Sequence, residues 1–247
     1  MRLIPLAWQF LTIVPFPFPF PFRDGDLGRS MRWFPLIGLL LGGLLAGVDY
    51  LLALALPRPV TDLILIALLA AVTGGMHLDG LADVCDGIAA RGSRERFLDV
   101  MKDSRVGAVG AVALVLGIAL KYQALAAIPL AGKREALLFF PVAGRAAQVL
   151  FAVGSRRARV DGLGAAMVDG AGKTELALAG LSALAVAWFL FGWRGVGCLA
   201  VLACVTLAIK AWSHGRLGGI TGDVIGCVNE LNEILALLLI LALPGKG

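Results

Sequence analysis

The chain has 247 residues, 59% of them hydrophobic and only 16% charged. A soluble domain is about half apolar and about a quarter charged, so this balance excludes an ordinary soluble fold and points to an integral membrane protein. The formal net charge of +5 reads in that setting as an orientation signal, and no nucleic-acid partner is expected.

The chain opens with an apolar stretch at residues 3–14, too short to cross a bilayer. Pro5 and Pro15 interrupt it and no small-residue cleavage site follows, so it does not read as a signal peptide. Residues 15–22 then alternate Pro and Phe. Such a run cannot be α-helical and lacks half its backbone donors, and irregular backbone is not tolerated facing hydrocarbon. Residues 1–32 are therefore placed at the interface, with the phenylalanines dipping into lipid.

Seven apolar runs follow. The first, residues 33–56, carries Gly38, Gly42, Gly43 and Gly47 as small faces for close helix packing. Residues 60–76 make a short second span, unless the acidic segment after it continues the same helix. The third covers residues 106–128, in which Lys121 is expected to snorkel to an interface. Residues 135–153 are the fourth and enclose Arg145. A polar, Gly-rich loop at 155–173 leads to spans at 176–191, 195–211 and 224–243. Cys85, Cys198, Cys204 and Cys227 form no CxxC pair and read as small apolar residues. Fifteen Lys and Arg fall on one side of this topology and five on the other. The bias puts the N-terminus and the acidic segment in the cytoplasm. The expected fold class is all-α, a polytopic membrane helix bundle of about seven transmembrane helices in one domain, residues 1–247.

The unusual stretch is 74–107. Asp79, Asp83, Asp86, Glu95, Asp99 and Asp103 place six carboxylates within 25 residues, between two apolar runs. Ionised groups there are costly unless neutralised, and a hard divalent cation neutralises carboxylates best. At about 100° per residue, Asp79, Asp83 and Asp86 lie within roughly 60° of one another, with His77 on the other side. Glu95, Asp99 and Asp103 form an i, i+4, i+8 ladder, and Gly87 and Gly92 bracket the turn between the two segments. A helical hairpin bringing two acidic faces together is expected. Arg91, Arg94, Arg96, Lys102 and Arg105 interleave with the acids, a mixture suited to metal plus phosphate. The alternative is a solvated charged loop.

Gly218-Gly219-Ile220-Thr221-Gly222-Asp223 opens the last apolar helix. Asp223, Gly226, Asn229, Glu230 and Glu233 share a face about 120° wide. A polar stripe in a membrane helix suggests a functional site; polar glue between helices is the alternative.

The segment Asp83-Val84-Cys85-Asp86-Gly87-Ile88-Ala89-Ala90-Arg91 resembles the first half of the CDP-alcohol phosphotransferase signature, and Asp99 with Asp103 resembles its second half. Seven residues separate Arg91 from Asp99, fewer than in that signature. The Gly of the second half is also missing, with Glu95 in its place. The chain is more similar to the cobalamin synthase (adenosylcobinamide-GDP ribazoletransferase) family. That resemblance runs through most of the chain and rests on four blocks. They are Gln9-Phe10-Leu11-Thr12, Gly74-Gly75-Met76-His77-Leu78-Asp79-Gly80-Leu81-Ala82-Asp83, Met101-Lys102-Asp103-Ser104-Arg105-Val106-Gly107 and Leu217-Gly218-Gly219-Ile220-Thr221-Gly222-Asp223. The Pro-Phe repeat is not a feature of the family and receives no role.

The resemblance implies a Mg²⁺-dependent transferase of the bacterial inner membrane, its active site facing the cytoplasm, in the last steps of cobalamin biosynthesis. Adenosylcobinamide-GDP and α-ribazole, or its 5′-phosphate, would give adenosylcobalamin, or its phosphate, and GMP. On that footing Asp83, Asp86, Asp99 and Asp103 are the expected Mg²⁺ ligands, with Asp79 beside them. Asp83 and Asp103 are the expected catalytic groups, Asp103 taking the proton of the ribazole 3′-hydroxyl by analogy with the signature; His77 is a weaker base candidate. Arg91, Lys102 and Arg105 are expected to clamp phosphate. Asp223, Asn229, Glu230 and Glu233 are expected to complete the pocket or bind the corrin amides. Membrane lipid and a second copy in a homo-oligomer are the other partners considered. Two competing readings are a lipid synthase of the CDP-alcohol type and a cation-coupled transporter.

Overall fold

The computed structural model describes residues 2–17, 23–159 and 162–242. In chain order the helices are α1 (Leu3–Leu11), α2 (Asp26–Ser30), α3 (Phe34–Leu52), α4 (Arg58–Val72), α5 (Met76–Ala89), α6 (Arg94–Val100), α7 (Ala108–Ala127), α8 (Leu130–Ala152), α9 (Leu163–Val168), α10 (Lys173–Phe191), α11 (Trp193–Leu217) and α12 (Gly222–Ala242). Among the described residues there is no strand, only a bridge between Arg157 and Ile220. The all-α membrane bundle stands. Among the described residues six helical stretches are long and apolar enough to cross a bilayer, and α4 with α5 makes a seventh if that bent pair is one span. Most of the Pro-Phe run, residues 18–22, and the chain end at 243–247 lie outside the described residues.

The acidic segment does not continue the helix of the second span. Gly74 and Gly75 both adopt left-handed backbone, φ 64° and 69°, a conformation open to glycine at no steric cost. Two such residues in succession turn the chain, and α5 leaves α4 at 87°.

Helices α8 and α12 form the centre of the bundle. The most apolar window of each is 78% and 72% buried, against 28% or less for α7, α10 and α11, which leave their greasy faces to lipid. α3 lies against α8 through Gly38 and Gly42. A Cβ at Gly38 would sit 2.6 Å from the Pro141 carbonyl oxygen, and one at Gly42 would sit 2.7 Å from that of Leu137. Gly43 and Gly47 face open space, so only half of the expected glycine face makes the contact.

Two loops are tied together beside the N-terminus of α12. The amide of Ala158 donates to Ile220 O at 2.9 Å and that of Ile220 donates to Arg156 O at 2.8 Å. This short antidote to irregular backbone satisfies its polar groups and carries Arg159 to the mouth of the cleft described next.

Candidate functional site

α5 forms one continuous helix, so the wheel geometry expected for its acids is realised. Asp79 is exposed, Asp83 and Asp86 are half-buried, and His77 is buried on the opposite side. α12 crosses α5 at Gly80, where an added Cβ would collide with the Asp223 carbonyl. That close approach brings Asp223 to the acidic face. Asp79, Asp223 and Asp86 all act electrostatically on Asp83, with Arg159 as the opposing charge. Arg159 donates to Asp223 Oδ2 at 3.3 Å and to Leu98 O at 2.9 Å.

Of these residues Asp79, Arg159 and Asp223 line a cleft of about 220 Å³, and Asp83 and Asp86 lie outside its lining. Asp79, Arg159 and Asp223 lie at its more exposed rim, while His77, Gln148, Thr221 and Met167 are buried within. His77 Nε2 lies 2.9 Å from Gln148 Nε2, so the ring is held inside the bundle and the acids lie on the other face of its helix. His77 therefore has the setting of a hydrogen-bonded positioning residue.

Asp86 is engaged differently from the expectation. Its Oδ2 accepts from the Gly107 amide and its Oδ1 from the Gly110 amide, both at 2.7 Å. A carboxylate at the first turn of α7 meets the unpaired N–H groups and the positive end of the helix dipole. Asp86 thus docks α5 on α7.

The second acidic ladder is broken. Phe97 packs on Gly87 and brings α6 against α5 as the expected hairpin. α6, however, ends at Val100, so Asp103 is not in helical register with Glu95 and Asp99. Asp99 and Asp103 are both exposed. Asp103 pairs with Arg105, Nη2 to Oδ2 at 2.7 Å. The side chain of Arg105, and then its amide, hold the Asp103 carboxyl down at about 2. Of the expected phosphate clamps, Arg91 is exposed on the turn between α5 and α6, and Lys102 is exposed in the connection between α6 and α7. Arg94 is structural, donating to Leu217 O at 2.6 Å and to Ala158 O at 2.7 Å.

Asn229, Glu230 and Glu233 do not join the cleft. They are buried at 0%, 5% and 0% exposure around Lys121, whose Nζ lies 2.6 Å from Glu230 Oε2 and 2.6 Å from Glu233 Oε2. Glu233 also binds Arg145, and Asn229 Nδ2 donates to it at 3.1 Å. Lys121 does not snorkel; it is buried at 4% exposure. Charges inside a membrane bundle persist when they pair with one another, so this face of α12 is interhelical glue below Asp223.

Among the described residues no three His, Cys, Asp or Glu side chains form a ready-made metal cage. Mg²⁺ seldom uses one. It keeps several waters and takes one or two carboxylates together with substrate phosphates. Asp79 and Asp83, whose carboxylates make no hydrogen bond or ion pair with a described residue, are a donor set of that kind.

The sequence reading missed Gln148 and the particular role of Arg159. Gln148 was legible as a polar side chain one turn after Arg145 within an apolar span. Arg159 was one of several arginines in a loop, and only the pairing of that loop with residues 218–221 singles it out.

The family model described as cobalamin-5-phosphate synthase matches residues 3–241. A relative from Geotalea daltonii named adenosylcobinamide-GDP ribazoletransferase is 61% identical, over 100% of this chain and 99% of its own. Relatives of the same name from Acetivibrio thermocellus and Desulforamulus reducens are 37% and 40% identical. They cover 97% and 96% of this chain, and 97% and 94% of their own. No solved structure matches the chain significantly. The match spans the acidic hairpin, the Gly-Asp loop and the whole bundle between them, and the chain belongs to the cobalamin-5-phosphate synthase family.

Proposed function

We propose that this protein is a membrane-bound transferase that joins adenosylcobinamide-GDP to α-ribazole or its 5′-phosphate, releasing GMP. The observation that carries this reading is the cleft where Asp79 and Asp223 meet Arg159, with Asp83 one helical turn along α5 from Asp79, in a chain alike over its full length to proteins named for that reaction. The ribazole 3′-hydroxyl attacks the phosphate attached to cobinamide. A new P–O bond forms, the bond to the GMP phosphate breaks with its electrons going to GMP, and the hydroxyl proton passes to a carboxylate.

Phosphoryl transfer of this kind is mostly positioning and charge neutralisation. Asp79 and Asp83 would hold Mg²⁺, which when bound neutralises the diphosphate and the departing phosphate. Asp86 fixes the height of α5 against α7. Arg159 and the exposed Arg91, Lys102 and Arg105 offer guanidinium and ammonium groups to phosphate oxygens. Asp103 is the candidate proton acceptor, and a phosphate that draws Arg105 away raises its basicity. The excess of Lys and Arg on the side of the acidic hairpin favours a cytoplasmic cleft in a bacterial inner membrane.

The test is direct. Purified protein in detergent should release GMP from adenosylcobinamide-GDP only with α-ribazole and Mg²⁺ together. Release of CMP from a CDP-alcohol, or ion flux alone in liposomes, would replace this reading.

A further inference from the structure

The cleft has two unlike parts, and its volume bears on which substrate enters it. At about 220 Å³ it lies below the roughly 300–1,000 Å³ typical of small-molecule pockets. A corrin macrocycle with its amide arms and adenosyl group cannot enter such a space. A single nucleoside base can. The inner wall is mostly apolar, with Met167, Ile220 and Ile225 all at 2% exposure or less. Its polar groups are Thr221, His77 and Gln148.

Gln148 is 1% exposed, and its Oε1 has no hydrogen-bond partner among the described residues. A buried amide atom without a partner is costly, and this one belongs to a side chain that lines the cleft. The amide orientation is an assignment, so turning it against His77 presents an N–H in place of a carbonyl. The Gln148–His77 pair can therefore meet one polar atom of a ligand, donor or acceptor.

Two nucleosides take part in the proposed reaction. Guanine presents three polar groups on its pairing edge, whereas Thr221 is already engaged with Asp223 and the Val224 amide and His77 with Gln148, so the inner wall leaves one polar group to meet them. The base of ribazole is a benzimidazole, bicyclic and apolar apart from one free ring nitrogen, which matches one amide N–H between apolar walls. We propose that the inner cleft is the seat of the α-ribazole base. Gln148 reads its free ring nitrogen, and the corrinoid stays outside the rim formed by Asp79, Arg159 and Asp223. This assignment rests on the function proposed above. It places the ribose between the base and the rim, so its 3′-hydroxyl faces the charged groups.

Steady-state kinetics on the full chain in detergent tests it, with Gln148→Leu removing the polar contact and Ala165→Phe filling the space. Each variant should raise the KM for α-ribazole about tenfold, the scale of one lost hydrogen bond, and leave that for adenosylcobinamide-GDP within about twofold. In the wild type, indole riboside, which lacks the free ring nitrogen, should compete with α-ribazole about tenfold more weakly than benzimidazole riboside; this arm needs no folded variant. GMP should not compete with α-ribazole. If the KM for adenosylcobinamide-GDP rises instead, if GMP competes with α-ribazole, or if both ribosides bind equally, the assignment falls while the reaction stands. If the wild type forms no GMP from the two substrates, the reading of the site falls and this assignment with it.

Discussion

Asp86 Oδ1 lies 2.7 Å from the backbone nitrogen of Gly110, two helices away in the chain and one contact away in space. Asp86→Ala would leave the first turn of α7 with two uncapped amides. The expected cost is about 1–2 kcal/mol, the usual range for a lost N-cap. It should appear as a lower thermal midpoint in detergent with or without Mg²⁺. An unchanged midpoint would remove the capping role.

Asp83 makes no such contact, so its removal should separate chemistry from folding. Asp83→Asn is expected to abolish GMP formation while leaving the thermal midpoint within about 2 °C of wild type, since substitutions away from structural features cost within about ±0.5 kcal/mol. Chelation of divalent ions should have the same effect on the wild type, reversed by added Mg²⁺. Full turnover by Asp83→Asn, or in excess chelator, would end the metal reading.

The pH behaviour of Asp103 follows from its pairing with Arg105. An ordinary aspartate titrates near ~3.9, and this one is held at about 2 by the Arg105 side chain and amide. Its folded-state value is depressed, so the contribution of the pair is fully present above the unfolded value. It is lost as the pH falls through about 2. Arg105→Gln should return the carboxyl toward its ordinary range, read by NMR titration of the labelled carboxyl group. A value that stays low in the variant would assign the shift to another neighbour.

The buried charges are expected to behave as a unit. Glu233→Gln leaves Lys121 and Arg145 short of a counter-charge inside the bundle, and breaking such a pair costs about 3–5 kcal/mol. Lys121→Met should be costly alone and much less so combined with Glu230→Gln, because the pair leaves together. Additive losses in a thermal-stability cycle would show that Lys121 and Glu230 are independent.

The glycines of α3 separate by neighbour. Gly42→Ala pushes a Cβ into the backbone of α8, where Leu137 O and Leu138 lie within 2.9 Å, and should lower stability in detergent. Gly47→Ala has nothing within 4 Å and should raise stability by about 0.5–1 kcal/mol through helix propensity. The reverse order would mean that α3 packs through its other face.

Much of the fold was legible in the residues because hydrocarbon imposes it. A bilayer admits helices and apolar runs of about 20 residues, and the long apolar runs of this chain obey that rule whatever their neighbours. The α5 acids were legible too, since i, i+4 and i+7 spacing puts Asp79, Asp83 and Asp86 on one face of any continuous helix. What remained undetermined was every choice that depends on a partner helix. Asp86 and Asp83 are alike as residues; only the position of α7 makes one a cap and leaves the other unpartnered. Glu230 and Asp223 sit two turns apart on α12, and the placement of Lys121 buries the first while the crossing at Gly80 brings the second to the cleft. A side chain's type sets which interactions it can make, but the low dielectric of the bundle makes an unpaired charge so costly that tertiary neighbours decide which ones it does make.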